Sequence, residues 1–381
     1  MLRVIHFGDL HLDAPFAAVG MAAGERLREG LRRVFGEIVA RCADADLVLV
    51  SGDLFENGYV LPETLSAVRE GFARLECPVV IAPGDSDPWL PGGLWTAVPW
   101  SENVHIFKKD ALSSFDVAIP RTGETVTVWG WAFTSDKMHA TPLGELFRPV
   151  PNRFNFLCAH ADISGEKSAV CPTPLSRVLG TVVSYAALGH RMGPEEEIFD
   201  RGVTVAYCGT PEAHSFEESG GDGYWEVFFA DHSHVPVLHR QHAASHAYVT
   251  LEADLGGCAR DEDVVRRLVS FIGAAGLGRE TSLRVRLCGE VPYDLIPNLP
   301  RVAAQTAAGL ESDGKSLCSL TLEDHLLPLL ASYQTPEDLD VRGEVYRALS
   351  AGLSSPDEGE RDRASLAIRS VLSALDGKNI G

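Results

Sequence analysis

Five times along this chain a short apolar run stops and gives way at once to aspartate or histidine. The breaks read Gly8-Asp9-Leu10-His11, Gly52-Asp53, Gly84-Asp85-Ser86-Asp87, Cys158-Ala159-His160 and Gly189-His190-Arg191-Met192. Runs such as Leu47–Val50 and Val79–Ala82 are short and wholly apolar, which reads as strands buried on both faces. Between the first three breaks apolar residues recur at helical spacing, at Leu27, Leu31, Val34 and Ile38, then at Leu65, Val68, Phe72 and Leu75, with Pro62 near the second start. Strand and helix in alternation, with polar residues at the strand ends, predict a layered α/β sheet whose ligand site lies where strands end.

From about Val104 strands dominate: Val104–Phe107, Val126–Trp131, Asn155–Cys158, Tyr185–Leu188, Val203–Tyr207 and Trp225–Phe229. These predict a second sheet packed on the first. Near His242–His246 the pattern changes. Ala247–Leu251 and Leu283–Leu287 read as strands, with a helical stripe at Val264, Val265, Leu268 and Ile272 between them. From about Ser316 only helices are suggested: Glu323–Ser332, Pro336–Leu349 and Glu360–Leu375, punctuated by Thr335-Pro336-Glu337 and Ser354-Ser355-Pro356-Asp357. The expected division is 1–243, 244–314 and 315–381.

A chain of 381 residues can bury a sizeable core in two or three domains. Its formal net charge of −20 argues against non-specific nucleic-acid binding by the chain as a whole, and suggests that a partner supplies basic surface. The eight cysteines form no CxxC pair, and Cys42, Cys77, Cys158, Cys208 and Cys288 lie in apolar stretches. That usage fits a reducing cytosol. The N-terminus has no signal-peptide anatomy and no apolar run is long enough to span a bilayer, so the expected location is cytoplasmic with no membrane partner.

Aspartate and histidine are ligands for Mn²⁺, Fe or Zn²⁺. Any one Gly-Asp after a strand is often only a turn or a helix cap. Five breaks in order ask for more. Asp9 and His11, two apart on an extended segment, can point the same way and share one metal. Asp53, after the next strand, is the natural bridge, and His160 and His190 fit a second metal. Two metals a few ångströms apart supply what phosphoester hydrolysis needs, an activated water and neutralised phosphoryl oxygens.

The text around these breaks resembles the calcineurin-like metallophosphoesterases, and within them the SbcD/YhaO-type DNA repair exonucleases. The resemblance is carried by Gly-Asp-Leu-His-Leu-Asp at 8–13, Pro83-Gly84-Asp85-Ser86-Asp87-Pro88, Glu102-Asn103-Val104-His105-Ile106-Phe107, Ala187-Leu188-Gly189-His190, and Tyr207-Cys208-Gly209-Thr210-Pro211-Glu212 leading to Ser215-Phe216. It covers roughly residues 1–245 and continues weakly through Arg284-Val285-Arg286-Leu287-Cys288-Gly289. It implies a four-layer α/β/β/α sandwich at 1–243, a small αβ capping domain at 244–314, and a helical tail at 315–381 that docks on a coiled-coil, SbcC-like ATPase. It also implies DNA as substrate, a divalent metal pair with Mn²⁺ best suited, and a homodimer in many members. Carried over by position, Asp9 and His11 become first-metal ligands, Asp53 the bridge, and Asp85, His160 and His190 second-metal ligands.

Three positions depart from the family pattern. Its third segment reads Gly-Asn-His-Asp, with the asparagine on the second metal and the histidine at the scissile phosphate; here these are Asp85 and Ser86. Its last segment reads Gly-His-x-His, with the final histidine on the first metal; here that is Met192. Asp85 keeps an oxygen donor and adds charge. Ser86 holds its proton too tightly to act as an acid, and losing such a donor typically costs about 10²–10⁴ in rate. Met192 offers a soft thioether that a hard ion does not favour. The second metal is therefore expected to bind more readily than the first. The expected function is an attenuated metal-dependent phosphodiesterase acting on DNA. The alternatives are a catalytically inactive scaffold in an ATPase complex and a small-molecule phosphoesterase. Elsewhere, His214 is a candidate phosphate contact, and Trp89, Trp95 and Trp100 read as core packing or a dimer contact rather than base stacking. His232, His234, His239, His242 and His246 read as a solvated strand and linker, and Asp357–Asp362 as a helix start.

Overall fold

A computed structural model describes the chain except for residues 17–18, 145–146, 165–167, 169, 192–197, 219–222, 232–234, 330–340 and 378–381. The chain divides into two units, Met1–Ala247 and Tyr248–Gly381.

In the first unit the elements run β1 (Leu2–Phe7), α1 (Met21–Arg41), β2 (Leu47–Val50), α2 (Pro62–Ala73), β3 (Val79–Ile81), β4 (Val104–Ile106), β5 (Ser113–Ala118), β6 (Thr125–Gly130), β7 (Asn155–His160), α3 (Leu175–Leu179), β8 (Tyr185–Gly189), β9 (Ile198–Asp200), β10 (Val203–Tyr207), β11 (Tyr224–Phe229) and β12 (Val237–Gln241). They build two six-stranded sheets, ordered β12-β11-β1-β2-β3-β4 and β5-β6-β7-β8-β10-β9. Strands β1 to β4 are parallel, as are β6, β7, β8 and β10, while β11, β12, β5 and β9 run antiparallel to their neighbours.

Alternation along each strand makes the layers. Ile5, Phe7, Val48, Val50, Val79 and Ile81 face the apolar stripes of α1 and α2, at Leu31, Val34, Phe35 and Ile38 and at Leu65, Val68 and Phe72. The intervening residues Val4, Leu47, Leu49 and Val80 pack between the sheets on Val126, Val128, Phe156, Tyr185 and Ala187. The outer face of the second sheet, Leu157, Ala159, Ala186 and Leu188, is covered by the short α3 and loop residues such as Phe133 and Leu143. This is the expected α/β/β/α sandwich, with both strand faces buried and hence the wholly apolar runs. Trp95 belongs to the first core, its ring 5.3 Å from that of Phe55, and Trp100 donates its Nε1–H to the Trp95 carbonyl.

The second unit contains β13 (Ala247–Asp254), α4 (Asp261–Ala274), β14 (Thr281–Cys288), β15 (Glu290–Val291), α5 (Leu299–Ser312), β16 (Ser319–Asp324), β17 (Leu327–Pro328), α6 (Val341–Ser350) and α7 (Glu358–Leu375). Its sheet order is β13-β14-β16, with α4 and α5 packed on it through Val264, Leu268, Ile272, Val302 and Leu310. The helix expected over Glu323–Ser332 is corrected here: residues up to Asp324 form β16, parallel to β14 with Leu322 opposite Val285, and β17 follows. Partner-strand hydrogen bonds and burial of Leu322 override the local preference. Residues 330–332 and Pro336–Asp340 of the expected helices lie outside the described residues. Helix α7 begins as expected, with the Asp357 carboxylate capping Glu360 N–H, and it is tied to the sheet by buried Arg369, whose Nη2 donates to both carboxylate oxygens of Asp324. No described helix is long and apolar enough to cross a membrane.

Candidate metal centre

The carboxyl ends of β1, β2 and β3 in one sheet meet those of β7 and β8 in the other. Beyond β1, Asp9 N–H bonds Gly52 O and His11 N–H bonds Asp53 O, but the segment is not extended as the sequence suggested. Asp9, His11, Asp53 and His190 all adopt positive φ, at 48°, 44°, 49° and 107°. Such backbone costs of order 1–3 kcal/mol per residue and persists where its surroundings enforce it, which is characteristic of functional sites. Two glycines let the side chains close in. A Cβ on Gly84 would fall 2.1 Å from Asp53 Oδ1, and one on Gly52 (φ 101°) would fall 2.6 Å from the His160 ring.

Asp53 is the hub. Its Oδ1 accepts Ser86 N–H at 2.9 Å, and its Oδ2 lies 3.6 Å from His11 Nε2 and 3.5 Å from His160 Nε2. His160 Nδ1 sits 3.0 Å from the Ser51 carbonyl, which can only accept, so Nδ1 carries the proton and Nε2 turns to the acids. Asp9 accepts His190 N–H on both oxygens at 3.0 Å and the Cys208 thiol at 2.9 Å.

Two groups have the spacing of metal ligands. Asp85, His160 and His190 form one and Asp9, Asp53 and His160 the other, each with its ligand atoms within 4.8 Å of one another. His160 thus belongs to both, where the sequence assigned it to the second alone. His11 approaches the first group through Asp53. Three atoms in this cluster, His11 Nε2, His160 Nε2 and Asp85 Oδ1, are buried without a hydrogen bond, although the last two form an ion pair at 2.9 Å. Unsatisfied buried polar atoms cost about 1–3 kcal/mol each, a cost that a bound ligand would relieve. Imidazole nitrogens interleaved with carboxylate oxygens fit a divalent ion.

Without a cation the histidines take up its charge. Burial disfavours a charged His160, but Asp53, Asp85 and Asp9 outweigh it and push its pKa up to about 10. Burial likewise opposes a charged His11, and Glu56, Asp53 and Asp9 raise it to about 9. Burial and the His160 charge lower His190. Burial raises Asp9 despite the His160 charge beside it. Burial also opposes ionisation of Asp85, yet His160 and His190 hold it below the usual carboxylate range.

Residues 2–194 match the family model of calcineurin-like phosphoesterases. The chain belongs to that family. Calcineurin-like phosphoesterases use divalent metals, in keeping with the two ligand groups. The chain is 26% identical over 237 residues to the uncharacterized metallophosphoesterase YhaO of Bacillus subtilis, covering 59% of this chain and 57% of that protein. It is 22% identical over 248 residues to the SbcD component of the nuclease SbcCD of Staphylococcus epidermidis, covering 57% of this chain and 63% of the relative. The chain therefore matches less than two thirds of the length of either relative.

Asp9, His11, Asp53, Asp85, His160 and His190 come together in this candidate centre. Ser86 sits beside Asp53 through its backbone N–H, and its carbonyl accepts Asn57 N–H. Met192 lies outside the described residues. His214 packs edge-on against the His11 ring at 5.2 Å, with Nε2 on Leu10 O and Nδ1 on Glu218. Both its nitrogens are engaged within the chain, so in this geometry it supports His11. Among the described residues His239, His242 and His246 form no ligand group, and His232 and His234 fall outside the description.

Three contributors had no role assigned from sequence. Asp87, the last residue of the third break, accepts N–H bonds from Gly84, Asp53, Leu54 and Phe55 and so fastens the second break to the third. Cys208 was read only as a small hydrophobe. Glu56, three residues after Asp53, lies 3.0 Å from His11 Nδ1, and nothing in its local sequence singles it out.

Proposed function

We propose that this phosphoesterase is a metal-dependent phosphodiesterase of the SbcD/YhaO type, acting on DNA together with a coiled-coil ATPase. The observation that carries the reading is the pair of ligand groups that share His160, with buried polar atoms lacking hydrogen bonds. The relative named as part of a nuclease supports DNA as substrate. Asp9, His11 and Asp53 would hold one ion, and Asp53, Asp85, His160 and His190 the other, with Mn²⁺ well suited to this mixed carboxylate and imidazole set. When bound, the ions supply charge neutralisation for the phosphoryl oxygens and an acidified water. The chain's own residues do the rest. Ser51 and Asp87 hold His160 and the second break in place. Asp85 adds a negative charge where the family has a neutral amide, which tightens cation binding and weakens attraction for phosphate. Ser86 keeps its proton, so the leaving oxygen draws its proton from solvent and turnover is slow.

The test is metal analysis with an Mn²⁺-dependent assay on DNA, with and without the ATPase. Asp53→Ala should abolish metal uptake and hydrolysis; unchanged Mn²⁺-dependent hydrolysis in that variant overturns the assignment.

A second reading, a non-catalytic scaffold, is favoured by Ser86 and Met192 together, since both replace working histidines of the family pattern. It requires that no divalent ion support turnover of a bis-aryl phosphate ester.

A further inference from the structure

The two histidines at the heart of the centre are held by different means. His160 is fixed by a backbone carbonyl, that of Ser51. His11 is fixed by a side chain: Glu56 Oε2 lies 3.0 Å from His11 Nδ1, while His11 Nε2 is buried, has no hydrogen bond and faces Asp53 at 3.6 Å. We propose that Glu56 is a positioning residue that keeps the proton of His11 on Nδ1 and its Nε2 lone pair toward the first ion, offsetting the donor lost at Met192. The inference rests on the metal-centre reading above.

The geometry is built for this. Leu12 and Phe55 form a bridge between the two breaks, Glu56 N–H bonds Leu12 O, and Asn57 N–H bonds Ser86 O. Asp87 holds the preceding N–H groups of Leu54 and Phe55. The Glu56 backbone is therefore tied to both neighbouring breaks before its side chain makes any contact. On another side His214 stands edge-on to the His11 ring. A carboxylate on the distal nitrogen of a ligand histidine fixes its tautomer and makes it a stronger donor, and removing such a partner typically costs 10–100-fold in metal affinity. Among the described residues the first ion has Asp9, Asp53, the shared His160 and His11 as candidate donors, so His11 is one donor of a small set. The second ion does not use His11, and its affinity is the internal control.

The experiment is Mn²⁺ titration of the full chain, followed by electron paramagnetic resonance, for wild type, Glu56→Ala, Glu56→Gln and Asp85→Ala. Glu56→Ala should weaken the weaker of two sites by about 10–100-fold and leave the tighter one unchanged. Glu56→Gln, which keeps an acceptor but no charge, should fall between. Asp85→Ala should weaken the other site. Nitrogen-15 spectra of His11 supply a readout independent of metal and of activity: above the ring's titration, Nδ1 stays protonated in wild type and becomes a tautomer mixture in Glu56→Ala. Equal affinities in wild type and Glu56→Ala, or an unchanged tautomer, overturn the role of Glu56 while the metal centre stands. A wild-type chain that takes up no Mn²⁺ overturns the metal centre and this proposal with it.

Discussion

The Nδ1 nitrogen of His160 lies 3.0 Å from the carbonyl oxygen of Ser51, and this contact decides which way the ring faces. Ser51 ends the strand segment before the second break, whereas His160 closes a strand of the other sheet. This hydrogen bond, with that of His190 N–H to Asp9, ties the two sheets together at the point where Asp9, Asp53 and Asp85 converge.

His160→Ala tests that relationship. The ring belongs to both ligand groups, so Mn²⁺ uptake should fall at both sites. In metal-free protein the variant also strands buried carboxylates without their counter-charge, which typically costs about 3–5 kcal/mol. Urea unfolding in the presence of a chelator measures it, and a midpoint equal to wild type would show that the ring carries no charge there.

The pH dependence has two opposite signs. His11 and His160 have folded pKa values raised to about 9 and about 10, above the ordinary 6.5. Their contribution to metal-free stability is fully present below pH 6.5 and is lost as pH rises through 9 and 10. Metal binding needs both rings neutral at the donor nitrogen, so affinity should rise with pH, by about tenfold per unit for each proton displaced. His190, held low, adds nothing to that slope near neutrality. Thermal melts from pH 6 to 8.5 should show the metal-free midpoint drifting down while the shift caused by Mn²⁺ grows. A metal-induced shift that is flat across this range contradicts the assignment of these two ligands.

Asp87→Asn should loosen the whole third break. The carboxylate uses Oδ1 for Gly84 and Asp53 N–H and Oδ2 for Leu54 and Phe55 N–H. An amide keeps one oxygen and turns its NH₂ on the remaining donors. Losing two buried hydrogen bonds costs about 2–4 kcal/mol, seen as a lower urea midpoint. Ser86 N–H and Asp53 move with the break, so Mn²⁺ affinity should drop at both sites. Wild-type stability in this variant would mean that the loop holds itself.

The layered architecture was legible because buried parallel strands have to be apolar on both faces and stop abruptly. Val48 and Leu49 face opposite layers, yet both are fully buried, so the run carries no alternation to mislead. Edge strands were harder. Residues Ser113–Ala118 of β5 mix Ser and Asp with Phe and Val, and β12 carries His239 and Arg240, so neither presents an apolar run. Strand β16 was missed because its stability comes from a partner about 37 residues away, in β14. The six expected ligands were visible as chemistry at strand ends. Glu56 and Asp87 were not, because each acts through a residue brought near by folding: His11 lies 45 residues before Glu56, and Leu54 lies 33 before Asp87.

Ser86→His with Met192→His tests whether these two positions silence the site, and the choice of substrate separates their effects. A DNA ester departs as an alkoxide, which needs a proton as the bond breaks. A bis-nitrophenyl ester departs as a stable phenolate, which does not. Restoring a histidine beside Asp53 should therefore raise DNA hydrolysis by about 10²–10⁴ at saturating Mn²⁺, and raise aryl-ester turnover far less. Met192→His adds a nitrogen donor in place of a thioether, so it should lower the Mn²⁺ concentration needed for activity rather than the rate at saturation. Steady-state rates across an Mn²⁺ series on both substrates read the two effects apart. A double variant that leaves both substrates at wild-type rates would show that neither residue silences the site.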